Sequence, residues 1–180
     1  MRYLKLFENF QAPIESIRSK ISNIIANIGH RKGRPFFDAL DEAIKDDEIV
    51  LELVKGYEND WIASSGGFGD MLYKLYQDKK FTCKGLVIFN GKMLTNGLGV
   101  NSWYPVDFDL DNKEFVYLDD SYFSGSTANK IASFLKEHNS NLYEIAVIYD
   151  GSEVRLNNVH SFYRYWDHRD LEEYKKKKAE

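Results

Sequence analysis

Apolar residues follow two different rhythms along this chain. Ile14, Ile17, Ile21, Ile24, Ile25 and Ile28 recur at three- and four-residue spacing, which places them on one face of a helix. Pro13 suits the first turn of that helix and Gly29 its end. Phe36, Phe37, Leu40 and Ile44 continue at helical spacing, and Ile49 to Val54 is a further apolar segment, helical or extended. Residues 11–56 therefore read as a helical lead-in. After it come short apolar runs without alternation: Asp60 to Ser64, Gly85 to Asn90, Phe115 to Leu118 and Leu142 to Asp150. Such runs suit strands of a parallel sheet that is covered on both faces.

Helical stripes separate these strands. Met71, Leu72, Leu75 and Tyr76 form one, and Ile131, Phe134 and Leu135 another. Repeated strand, loop and helix units predict an α/β fold, a mainly parallel open sheet with helices on both faces. The strand before Asp119 and Asp120 is expected at its centre. The four strands close on Ser64, Asn90, Asp120 and Asp150, a polar rim of the kind open parallel sheets present to ligands.

Two of the strand-to-helix connections carry unusual chemistry. After Leu118 come Asp119 and Asp120, then Ser121, Tyr122 and Phe123, then Ser124-Gly125-Ser126-Thr127, where a helix opens. Two carboxylates at a strand end need water, a cation or hydroxyl groups to meet them. Amides and hydroxyls at a helix N-terminus favour an anion, and Gly125 lets it approach the backbone closely. The second connection, Ser65-Gly66-Gly67-Phe68-Gly69-Asp70, has three glycines that cannot serve helix stability, since each costs up to ~1 kcal/mol relative to alanine. A tight, unusual backbone is expected there.

The acidic pair followed by Ser124 to Thr127 resembles the phosphoribosyl-pyrophosphate (PRPP) loop of the type I phosphoribosyltransferases. The resemblance covers about residues 58–152. It implies that Asp119 and Asp120 hold a ribose diol, directly or through Mg2+, that Ser121 and Ser124 to Thr127 bind the sugar and its 5-phosphate, and that Ser65, Gly66 and Gly67 meet the pyrophosphate. The ending Phe89-Asn90-Gly91-Lys92 resembles orotate-type members, where a basic residue reaches the pyrophosphate, so Lys92 joins the site. The implied activity is transfer of the phosphorylated ribose to a nitrogenous acceptor with release of pyrophosphate. Two departures favour the alternative of a PRPP- or nucleotide-binding regulatory module without transfer. Phe123 stands where purine-type members place a carboxylate, and no Lys, Arg or His lies between Lys92 and Lys113.

Composition narrows the remaining choices. At 180 residues and 43% hydrophobic, the chain can bury one core. It is read as one domain: the lead-in, a 57–152 core and an aromatic-rich 153–180 segment. A net charge of -4 argues against nucleic acid as a partner. Cys83 is the only cysteine, which fits a reducing cytoplasm, and no apolar run reaches the ~20 residues of a membrane span. A haloacid-dehalogenase reading fails because Ser121 stands two residues after Asp119, where a second aspartate is required. Residues 93–113 lack a periodic apolar face and are expected to be a mobile connection, in the place where the resemblance puts a closing loop. Phe162, Tyr163, Tyr165 and Trp166 cover the sheet edge or a partner subunit, the latter making a homodimer.

Overall fold

The computed structural model describes residues 19–23, 34–89, 100–104 and 109–167. Residues 19–23 are helical and bury Ile21. They are followed by α1 (Arg34–Ile44) and α2 (Asp47–Val54), so the apolar segment from Ile49 is helical. Asp46 caps α2 by accepting the Glu48 amide at 3.0 Å. That is the usual remedy for the unpaired donors of a helix start.

The sheet has six strands in the order β3-β2-β1-β4-β5-β6. They are β1 (Trp61–Ser65), β2 (Gly85–Phe89), β3 (Val100–Tyr104), β4 (Glu114–Tyr122), β5 (Asn141–Asp150) and β6 (Val159–Arg164). All neighbours from β2 through β6 pair in parallel, and only edge strand β3 runs antiparallel, against β2. Helix α3 (Gly66–Gln77) links β1 to β2, and α4 (Ser126–Glu137) links β4 to β5. Phe68, Leu72 and Leu75 of α3 pack with Ile49, Val50 and Leu53 of α2 on one sheet face. Ala128, Ile131 and Leu135 of α4 cover the other. The described residues of the lead-in therefore pack against the same face as α3. No helix among the described residues is long and apolar enough to cross a membrane.

Four elements differ from the expectation. First, β4 does not stop at Leu118 but runs through the two aspartates to Tyr122, because Ser121 and Tyr122 find backbone partners in Tyr149 and Asp150. Second, the glycine segment is not a loop: Ser65 ends β1 and Gly66 already begins α3, a direct switch made by a left-handed Gly66 (φ +58°). Third, within the connection expected to be mobile, Val100–Tyr104 is strand β3, while 90–99 and 105–108 lie outside the described residues. Fourth, the aromatic segment supplies β6, so the sheet continues beyond residue 152. Its Phe162 and Tyr163 are buried in the core.

Candidate functional site

The chain leaves β1 through α3 towards β2 on one side, and leaves β4 through α4 towards β5 on the other. β1 and β4 are neighbours, so a topological switch point lies between their carboxyl ends, where open α/β sheets leave a crevice. Both unusual connections open onto it. Gly66 and Gly125 are left-handed, with φ of +58° and +69°, and each stands where a strand turns into a helix. That backbone lets the first amides of the two helices point outwards.

These two helix starts lack what α2 has. Neither Ser65 nor Gly125 makes a side-chain cap, and neither first turn contains an acidic residue. Helix α2 carries both a capping Asp46 and the acids Asp47 and Glu48. Donors at the α3 and α4 N-termini are thus left for an anion from outside. A Cβ on Gly66 or Gly67 would meet nothing within 4 Å, so the space over that turn is open. A Cβ on Gly125 would run into the Tyr122 ring, with Cζ at 3.0 Å. Gly125 is required by both its backbone angle and its neighbour.

Asp119 and Asp120 sit within β4, half-buried at the same rim. Asp119 Oδ2 accepts the Tyr117 hydroxyl and Oδ1 accepts the Asp120 amide at 3.0 Å. Asp120 Oδ1 accepts Ser121 Oγ at 2.7 Å. Removal from water, reinforced by the Asp120 charge, raises the Asp119 carboxyl to about 8. Burial likewise raises Asp120 above the ordinary carboxylate range. Each carboxylate oxygen has two acceptor positions, so the pair retains capacity for hydroxyl groups or a cation. Among the described residues no cluster of three or more ligating side chains exists.

The remaining rim carboxylate, Asp150, is committed elsewhere. It lies 3.2 Å from the Arg164 guanidinium of β6 and accepts the Ser152 amide at 2.8 Å. Phe123 lies over Gly151, where a Cβ would come within 2.5 Å of its ring, and packs on Tyr149 at 5.6 Å between centroids. Beside it opens a cleft of about 360 Å³ lined by Phe123, Ser124, Glu153, Val154 and Leu156, among others. Val154 and Leu156 are its exposed apolar side chains.

The structure thus brings Ser65, Gly66, Gly67, Asp119, Asp120, Ser121 and Ser124 to Thr127 to the ends of two neighbouring strands and their helices. Lys92 lies outside the described residues. Reading the sequence missed Tyr117, whose hydroxyl touches Asp119 and lies 2.8 Å from Ser65 Oγ. The available signal was a hydroxyl inside an otherwise apolar run, two positions before an acid and so on the same side of the strand.

No protein-family model and no curated protein matches the sequence. Solved structures do. Orotate phosphoribosyltransferase from Mycobacterium tuberculosis, in complex with inorganic phosphate, matches with TM-score 0.51 and 9% identity over 84% of this chain and 98% of that one. A phosphoribosyltransferase from Corynebacterium diphtheriae matches with TM-score 0.47 and 9% identity, over 84% and 98%. Adenine phosphoribosyltransferase from Thermoanaerobacter pseudethanolicus gives 0.42 and 16% identity, over 71% and 81%. The chain has the type I phosphoribosyltransferase fold. At such identities the likeness is one of fold, and the chemistry rests on the residues described above.

Proposed function

We propose that this protein binds PRPP, or a related phosphorylated ribose, and transfers the ribose phosphate to a nitrogenous acceptor with release of pyrophosphate. Two left-handed glycines at the helix starts that follow neighbouring parallel strands, facing one switch point with an acidic pair beside them, carry this reading. The α4 start, Ser124 to Thr127, holds the 5-phosphate through backbone amides and hydroxyls. Asp119, Asp120 and Ser121 meet the ribose hydroxyls. Ser65, Gly66 and Gly67 meet the pyrophosphate, over the open side of the turn.

In transfer, the acceptor nitrogen forms a bond to C1 while the bond from C1 to the pyrophosphate oxygen breaks. The chain's part is to align the two and stabilise charge. Two carboxylates fit Mg2+ only in company with substrate oxygens, as that ion is usually held. When bound, it would neutralise charge on the pyrophosphate. The cleft beside Phe123 faces the same rim and offers the acceptor an apolar wall with one carboxylate, Glu153.

A binding module without transfer is the second reading. Phe123 favours it, because the ring is packed on Tyr149 and Gly151 and supplies no acid or base beside the acceptor. Isothermal titration with PRPP, ribose 5-phosphate, AMP, UMP and ADP-ribose, each with and without Mg2+, tests the shared site. Pyrophosphate release across a panel of bases and amines then separates the two. Absence of heat with every phosphorylated ribose would remove both.

A further inference from the structure

Tyr117 is 1% exposed, yet its hydroxyl bridges two parts of the site that come from different strands. It touches the Asp119 carboxylate on its own strand and lies 2.8 Å from Ser65 Oγ on β1. Ser65 is itself buried and makes no side-chain cap on α3. Its hydroxyl is turned into the sheet towards Tyr117 instead.

Hydrogen-bond arithmetic gives this chain a direction. The Tyr117 hydroxyl donates its single proton to Asp119, so Ser65 donates to the Tyr117 oxygen. Donating strengthens a hydroxyl as an acceptor, so the links of such a chain reinforce one another where water is excluded. With the Ser65 hydroxyl spent inwards, the space over Gly66 and Gly67 is what the turn leaves open. Orientation of the carboxylate and of the glycine turn is thereby set by one phenol.

We infer that Tyr117 is a positioning residue that couples the glycine turn after β1 to the ribose-facing carboxylate Asp119, so that the two ends of a bound PRPP are held cooperatively. The inference rests on the PRPP reading above but concerns a residue that touches no substrate. Phenylalanine would fill the same space and keep the core packed. It would not transmit anything between Ser65 and Asp119.

The experiment is a mutant cycle on PRPP affinity in Mg2+ buffer, with thermal unfolding of every variant as the check on folding. Ser65→Ala and Asp119→Asn each weaken binding, and together they should weaken it at least about threefold less than the product of the separate effects, the non-additivity of coupled sites. Repeated in a Tyr117→Phe background, the two effects should multiply within error. If the Phe background unfolds, the first cycle still decides, because additivity with Tyr117 present overturns the inference. Equal non-additivity in both backgrounds also overturns it, since the coupling would then run through another route. A wild-type protein that binds no PRPP overturns the functional reading and this inference with it. PRPP binding with additive effects overturns this inference alone.

Discussion

Asp150 at the end of β5 is ion-paired with Arg164 of β6 at 3.2 Å, and the two side chains are only 5% and 12% exposed. Arg164 also donates to Ser152 O at 3.2 Å, so the pair fastens the turn between the strands. Arg164 keeps Asp167 at 3.2 Å when Asp150 is removed, so it loses its buried partner and not its only one. Asp150→Ala is therefore expected to cost about 1–3 kcal/mol of folding stability, read from urea unfolding. Ribose 5-phosphate affinity should change little. A stable variant that has lost ligand binding would reassign Asp150 to the site.

Two glycines of one helix start separate folding from binding. A Cβ on Gly69 would lie 2.7 Å from Cγ2 of buried Ile88. Gly69→Ala should destabilise by about 1–3 kcal/mol through overpacking. Gly67 has open space where its Cβ would be, so Gly67→Ala should be neutral or gain up to ~1 kcal/mol of stability. The same methyl stands where the pyrophosphate is proposed to approach, and roughly tenfold weaker binding, or about 1.4 kcal/mol, is expected. Calorimetry showing unchanged pyrophosphate affinity in Gly67→Ala would move that ligand away from the turn.

Most of this architecture was legible in the sequence because it is written in side chains. Apolar runs gave β1, β2, β4 and β5, and the helical stripes gave α3 and α4 between them. What escaped is written in the backbone. Ser121 and Tyr122 read as loop residues, but β5 extends alongside and pairs them. Five residues from Gly66 read as a glycine loop, whereas one left-handed residue completes the turn and lets the helix begin at once. β6 mixes aromatic residues with His160 and Arg164, and its strand character comes from its partner β5. The acid pair was visible, but its tie to Ser65 through Tyr117 joins positions 52 residues apart. Only the sheet order brings them together.

The left-handed backbone of Gly125 yields a sharper test of the proposed phosphate cradle. A side chain there meets both an unfavourable φ of +69° and the Tyr122 ring. Gly125→Ala is expected to lose about 1–2 kcal/mol of stability from the backbone alone. It should also lose ribose 5-phosphate binding, because the first amides of α4 turn with residue 125. Phosphate affinity preserved in a destabilised Gly125→Ala would place the anion elsewhere.

Asp119 gives the ligand-free protein a pH signature. Burial, with the neighbouring Asp120 charge, raises its carboxyl to about 8, far above the ordinary ~3.9 of an unfolded chain. Between those values the folded state binds a proton that the unfolded state has released. Stability must then fall as pH rises from about 4 to about 8, and level off above. Asp119→Asn, neutral throughout, should remove that part of the slope. Urea midpoints measured at about pH 5, 6.5 and 8 decide it, and identical slopes in the two proteins would show that Asp119 is not the group responsible.

Whether the site transfers or only binds turns on Asp120 and on pyrophosphate. Asp120 accepts Ser121 through one oxygen and stands at the rim within β4. If it meets the ribose diol through charge-assisted hydrogen bonds, Asp120→Ala should cost about 1.5–3 kcal/mol of PRPP binding, roughly tenfold to a hundredfold. Transfer and simple binding both require that loss. They differ in what happens at C1. A transferase given its acceptor releases pyrophosphate faster than PRPP hydrolyses alone, and Asp120→Ala must reduce the excess along with the affinity. Phe123 supplies no carboxylate to the acceptor, so the expected rate is slow and depends on an acceptor whose nitrogen is already nucleophilic, such as a neutral amine. Lengthening the reaction time cannot create an excess that chemistry does not supply. PRPP bound tightly, with pyrophosphate at the uncatalysed rate across bases, amines and nucleosides, would establish the binding module in place of the transferase.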